Sequence, residues 1–276
     1  MLSRRCPVAA GRRGFSLVEL LIVIAVVAVL LGLLLPGLAR ARDEARALRS
    51  AVASRSLAAA WTLYANDHRG ELIPGYLPIT TDARVTDEYG NEWGALIAQR
   101  WVYRLAPWFD HAMLGTTIVG EEAEFARDRA RIQAMDNGHF EWAYRMSVYP
   151  SFGLNVQHVG GNYADTPQVF RATNPVRRSD QPLRPERLLV FASARGPGAG
   201  DAVVPGFHRI EPPPLGAIYS SAAKPQTFGH LDARYNNRVV AALFDGHAER
   251  IEPRELTDRR RWSDTAARKD DPDWEP

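Results

Sequence analysis

Two groups of residues in this 276-residue chain are of types that could do chemistry. The first is Glu19, the single charge among the twenty-one positions of residues 15–35, FSLVELLIVIAVVAVLLGLLL. A carboxylate at membrane depth costs about 2.5–3.5 kcal/mol on insertion scales, so its presence asks for a cationic partner. The second group is His230, Asp232, Asp245 and His247. Imidazole nitrogens and carboxylate oxygens suit a divalent ion, which makes His230, Asp245 and His247 candidate metal ligands. Their spacing follows no fixed ligand pattern, and Asp245 is also accounted for as a turn residue.

Signatures of catalysis are missing elsewhere. There is no G-x-S-x-G elbow and no H-E-x-x-H helix. The loop Gly196-Pro197-Gly198-Ala199-Gly200 lacks the Lys-Ser/Thr of a phosphate-binding loop, and the oxyanion-like segment His158-Val159-Gly160-Gly161 has no nucleophile motif to serve. No enzyme and no cofactor are expected. The seven tryptophans read as packing residues, with a sugar-binding surface as the lesser alternative.

The charge balance excludes another class. Four of the 34 basic residues, Arg4, Arg5, Arg12 and Arg13, fall in the first fourteen positions, leaving 30 basic against 32 acidic residues beyond them. No basic stripe with interleaved aromatics remains, so no nucleic-acid partner is expected. The lone cysteine, Cys6, lies in the same leader, so the rest of the chain carries no disulfide and is held by packing alone.

The elements that position Glu19 begin with that leader. A basic segment before an apolar run ordinarily reads as a secretory signal peptide, but the exit LLLPGLARARDEAR offers no A-x-A site. An uncleaved anchor is the second reading. Four arginines before the run and four after it (Arg40, Arg42, Arg46, Arg49) leave its orientation unset. Neither reading uses Glu19.

Beyond Pro36-Gly37 the pattern changes. Leu38, Ala41, Ala45, Leu48 and Val52 recur at spacings of three and four, and Ala59 and Leu63 continue the stripe. This predicts a helix with that face on a globular body and Arg40, Asp43, Glu44, Arg46, Arg49 and Arg55 in solvent. The cluster Asn66-Asp67-His68-Arg69-Gly70 ends it. Phe15 to about Asn66 then form one helix of about 75–80 Å, kinked or locally unwound at Pro36.

Residues 70–276 form the body. Helices are expected over 94–106 and about 120–135. The run 187–194 (RLLVFASA) reads as a buried strand. The run 238–244 (RVVAALF), followed by Asp245-Gly246 and HAERI, reads as a hairpin on a two-residue type I′ turn. The divisions are therefore a basic leader (1–14), a membrane helix (15–36), an amphipathic continuation (37–69) and a globular body (70–276). The fold class is α+β, a long N-terminal helix packed on a mainly antiparallel β domain.

The stretch GRRGFSLVELLIVIAVVAVLLGLLLPGL resembles the N-terminus of type IV pilins and type II secretion pseudopilins. The resemblance implies cleavage by prepilin peptidase between Gly14 and Phe15, N-methylation of Phe15, and an assembly role for Glu19. Its implied partners are that peptidase, other pilin-like subunits and the inner membrane, with the body periplasmic. A narrower resemblance is to the planctomycete-type group with an H-X9-DG end. It rests on Tyr64-Ala65-Asn66-Asp67 with Gly70 and Pro74, on Phe152-Gly153-Leu154-Asn155, and on Asp245-Gly246-His247. Tyr235 stands where that group has its histidine. The implied function is a structural pseudopilin. The alternative is a membrane-tethered binding module, for example for polysaccharide, that borrows the leader for sorting.

Overall fold

The computed structural model describes residues 17–119, 128–132, 134–163 and 174–275. Helix α1 runs Leu17–Asp67 as one element and continues through position 36. It ends where Arg69 and Gly70 take positive φ, 57° and 87°. There the Gly70 N–H donates to Ala65 O at 2.7 Å, the wide bond of a Schellman end.

By compactness the chain divides into residues 1–44 and 45–276. In the first unit, residues 17–44 are helical, and every side chain described there is exposed. This part of α1 is long and apolar enough to cross a membrane. An apolar medium leaves the backbone no partners but its own, and a helix supplies them all.

In the second unit, α1 buries Ala47, Ser50, Ala53, Ser54, Leu57, Ala58, Trp61 and Ala65. This corrects the expected stripe, because Leu48, Val52 and Leu63 are 62%, 61% and 52% exposed. Leu38, Ala41, Ala45 and Ala59 are exposed as well. The two faces lie on opposite sides of the helix at 100° per residue. Alanine and serine let the helix backbone approach the body closely, and Leu57 and Trp61 supply the area. Trp61 meets Phe244 edge-on, with ring centroids 4.9 Å apart.

The centre of the body is a five-stranded sheet in the order β7-β3-β4-β8-β9. Its strands are β3 (Phe152–Asn155), β4 (Leu189–Ser193), β7 (Arg209–Ile210), β8 (Val239–Leu243) and β9 (Ala248–Ile251). All neighbours are antiparallel except β3 and β7. Two-stranded ribbons are formed by β1 (Val85–Thr86) with β2 (Glu92–Trp93), and by β5 (Arg195–Pro197) with β6 (Val203–Pro205). Residues of β8 alternate between two cores. Val240 and Ala242 join Leu57 and Trp61 beneath α1. Val239, Ala241 and Leu243 join Phe228, Leu256 and Trp262 on the other face.

The expected helix over 94–106 is two, α2 (Ala95–Ala98) and α3 (Trp101–Leu105). The chain between them is drawn into pairing with residues 75–77. Leu77 N–H donates to Gln99 O at 2.8 Å, and Trp101 N–H to Gly75 O at 3.2 Å. Of the helix expected near 120–135, residues 128–132 are helical, while 120–127 and 133 lie outside the described residues. A helix that was not expected, α4 (Gly138–Val148), buries Gly138, Trp142, Ala143, Met146 and Ser147. A short α5 (Asp264–Lys269) follows, with Ser263 as its N-cap.

The β8–β9 connection differs from the expected two-residue turn. Gly246 has φ 90°, while Asp245 is not among the residues of positive φ. Gly246 N–H donates to Leu243 O and Leu243 N–H to His247 O, both at 2.9 Å. This is a three-residue loop with a glycine in the left-handed position. The turn with two positive central φ values sits one connection earlier, at Asn236 (53°) and Asn237 (55°).

Candidate functional site

Glu19 lies in the first turn of α1, exposed, where a carboxylate complements the partial positive charge of the helix start. Residues 1–14, with Gly14, and Phe15 lie outside the described residues. The N-terminal site is therefore an acid in the first turn of a helix long and apolar enough to cross a membrane, five positions after Gly14 in the sequence.

The C-terminal candidates are not brought together. Among the described residues no three His, Cys, Asp or Glu side chains are grouped to hold a metal ion. His230 is 2% exposed and follows the short helix Pro225–Phe228. Its ring stacks on Phe207 at 4.3 Å, and Nδ1 lies 3.2 Å from Arg195 O. Burial, reinforced by Arg209 and Arg195, pushes its pKa down to about 4. Asp232 instead pairs with Arg234 at 2.9 Å. Asp245 and His247 contact each other at 2.6 Å on the exposed hairpin, a pair that orders the turn.

A second buried histidine completes this region. His208 is held with Trp101 Nε1–H donating to its carbonyl at 2.6 Å. Burial first, then Arg100 and Arg209, hold its pKa well below the ordinary histidine value. Burial thus holds both imidazoles neutral at the β7 edge.

Other motif residues also have structural uses. Gly160 N–H donates to Val176 O at 2.8 Å, so this part of the oxyanion-like loop is engaged with backbone. Gly198 N–H closes the β5–β6 ribbon on Ala202 O at 2.7 Å. In β3, a Cβ on Gly153 would stand 2.5 Å from the Arg209 backbone, so only glycine admits the parallel strand β7. Asn155, fully buried, donates through Nδ2 to Leu189 O at 3.0 Å and Trp262 O at 2.9 Å.

Sequence reasoning passed over the acidic pair Asp87-Glu88. Asp87 accepts from Tyr89 N, Asn91 N and Nδ2, and Trp93 Nε1, all within 3.0 Å. Glu88 accepts from Trp142 Nε1 at 2.9 Å and Tyr103 OH at 3.5 Å. Burial, with Glu88 and Asp87 nearby, raises the Tyr103 pKa. The spacing Asp87-x3-Asn91-x-Trp93 is the available signal, since a short polar side chain that bonds backbone two and four residues on is a turn-former.

Residues 10–35 match the family described as the prokaryotic N-terminal methylation motif. Comparisons with curated proteins and with solved structures gave no match. The family match supports a type IV pilin-like leader. Together with the apolar helix, it indicates a pilin-like precursor, processed by prepilin peptidase and anchored in a membrane.

Proposed function

We propose that this chain is a structural pseudopilin, assembled in a type II secretion or type IV pilus-like system. Prepilin peptidase cuts between Gly14 and Phe15 at the cytoplasmic face of the inner membrane, and Phe15 is N-methylated. Cleavage leaves an ammonium at the end of an apolar helix. Glu19 of a neighbouring subunit neutralises it, so two charges that are each costly in lipid become one pair that sets axial register. Pro36 kinks the helix, and the body, 70–276, lies in the periplasm. The segment from Tyr235 to Asp245-Gly246-His247 is a variant H-X9-DG end, with tyrosine in the histidine position.

The observation that carries this reading is the spacing of Gly14, Phe15 and Glu19 inside the matched stretch. Coexpression with a prepilin peptidase should shorten the chain by the fourteen leader residues and expose N-methyl-Phe15 by mass spectrometry. An intact N-terminus overturns it. Glu19→Ala should leave cleavage in place and abolish incorporation into filaments.

The second reading, a tethered binding module for polysaccharide, is favoured by the aromatic side chains of Tyr89 and Tyr144, which are 39% and 37% exposed. Under it, Glu19→Ala leaves ligand binding unchanged.

A further inference from the structure

Three elements are tied together at residue 208. His208 N–H donates to Val148 O, at the end of α4, at 2.9 Å, and His208 O accepts from Leu154 N–H of β3 at 3.2 Å. The same carbonyl accepts from Trp101 Nε1–H, at the start of α3, at 2.6 Å. Strand β7 begins one residue later. It has two residues, lies at the edge of the sheet, and pairs in parallel with β3 through Leu154–Arg209 and Asn155–Ile210. Parallel pairing is slightly weaker per residue than antiparallel, and short edge elements open locally at low cost. The bonds of residue 208 therefore do much to hold this edge in place.

The side chain at this junction is enclosed among cations. The His208 imidazole is 6% exposed, with the Phe207 and Tyr76 ring centroids 4.5 and 5.8 Å away. Nδ1 lies 3.3 Å from Val148 O, and Nε2 is buried with no hydrogen-bond partner among the described residues. Arg100, from the α2–α3 link, sits over the Tyr76 ring at 5.7 Å. Arg209 of β7 sits 5.4 Å from the Phe207 ring, and the carboxylate that accompanies it, Glu211, is already paired with it at 3.1 Å. His230 stacks on Phe207 at 4.3 Å. The end of α4 and β3 bring Val148 and Leu154, which carry no charge. Burial first, then Arg100, Arg209 and His230, oppose a charge on the ring. A proton on Nε2 adds a buried donor with no acceptor, which is costly. The ring regains solvation only by leaving. Nδ1 and the backbone N–H share the Val148 carbonyl, so the ring draws its backbone with it.

We propose that His208 is an acid-operated latch: its protonation frees β7 from β3 and bares the β3 edge, while β3, β4, β8 and β9 stay paired. The remaining sheet is antiparallel, and every residue of β4 and β8 is buried, so its pairing does not depend on residue 208. A freed β3 edge presents unpaired backbone groups, Leu154 N–H first among them, and such an edge is a template for another strand. The latch has one direction. It is shut where the ring is uncharged and opens as pH falls below the ordinary histidine value of 6.5.

The test is amide hydrogen exchange, read by mass spectrometry on the full-length chain in detergent at about pH 7 and about pH 4.5, with exchange times scaled for the intrinsic effect of pH. At the lower pH, peptides covering 152–156 and 206–211 should lose protection by about ten-fold or more, and those covering 239–243 by less than about two-fold. His208→Asn, whose amide nitrogen stands in for Nδ1, and His208→Phe, which fills the site, should each remove that difference. His230→Gln should keep it. Equal loss in all strands, or none at β7, overturns the latch. A β7 response that survives both His208 variants, or that disappears in His230→Gln, overturns it as well. Where neither His208 variant keeps the wild-type melting curve at neutral pH, His230→Gln decides: a kept response supports the latch and a lost one overturns it.

Discussion

The two parts of α1 obey opposite rules. From Leu17 to Glu44 the helix is almost uniformly apolar at first and wholly exposed; from Ala45 to Asp67 it is mixed in composition and strongly sided. Over residues 17–35 large apolar side chains lie on every face, so that stretch needs an apolar surrounding. In the second part the large apolar side chains Leu48, Val52 and Leu63 face out, and alanines and serines face in. Burial there follows closeness of approach, with Leu57 and Trp61 as the two large side chains that fill the gap beneath.

The largest expected effect on this contrast comes from Trp61→Ala. Removing a fully packed tryptophan should lower body stability by about 3–5 kcal/mol, read as the urea midpoint of the detergent-solubilised chain. A loss below about 1 kcal/mol would break the claim that residues 45–67 are a core element. Val26→Arg probes the other part. A midspan arginine costs about 2.5–3.5 kcal/mol of insertion, so the membrane-bound fraction should fall, and unchanged fractionation would count against a lipid-facing helix.

Acid separates the two parts by a different route. His208 and His230 are buried neutral in the body, whereas residues 17–44 contain no histidine. The unfolded chain takes up protons near about pH 6.5, but folded His230 does so only near 4. Stability is therefore full above about pH 6.5 and lost as pH falls toward 4, on the order of 3 kcal/mol for His230 alone. Denaturation curves between those limits check it, and a flat profile would show that the imidazoles are not buried. The smallest effect is expected for Leu48→Ala, within about 0.5 kcal/mol for an exposed position. A cost above about 2 kcal/mol would return this leucine to the core and reverse the assigned face.

The sequence made α1 and its end legible because periodicity and the Asn66–Gly70 cluster are local signals. Which face is buried was not legible, since Leu48 and Val52 outrank Ala47 and Ser54 on any scale of hydrophobicity. Helix α4 repeats Gly138, Trp142 and Met146 at intervals of four, but the half-buried Phe140 and the exposed Tyr144 blur that stripe. Glu19 stood out because an isolated charge in an apolar run has no bland explanation. The surroundings of His230 were not legible, because its partners, Phe207 and the Arg195 carbonyl, are distant in sequence. Spacing shows which side chains could bind a metal, and it does not show which are already enclosed.

Asn155 ties β3 to Trp262, 107 residues downstream. A chain synthesised from its N-terminus reaches β3 long before it delivers that carbonyl. Until then one of the amide's two backbone partners is missing, and β3 holds a polar group short of a partner. Completion waits on the last few dozen residues, and long-range closure of this kind is slow. Asn155 therefore gains its full set of backbone partners only after the tail of the chain has arrived.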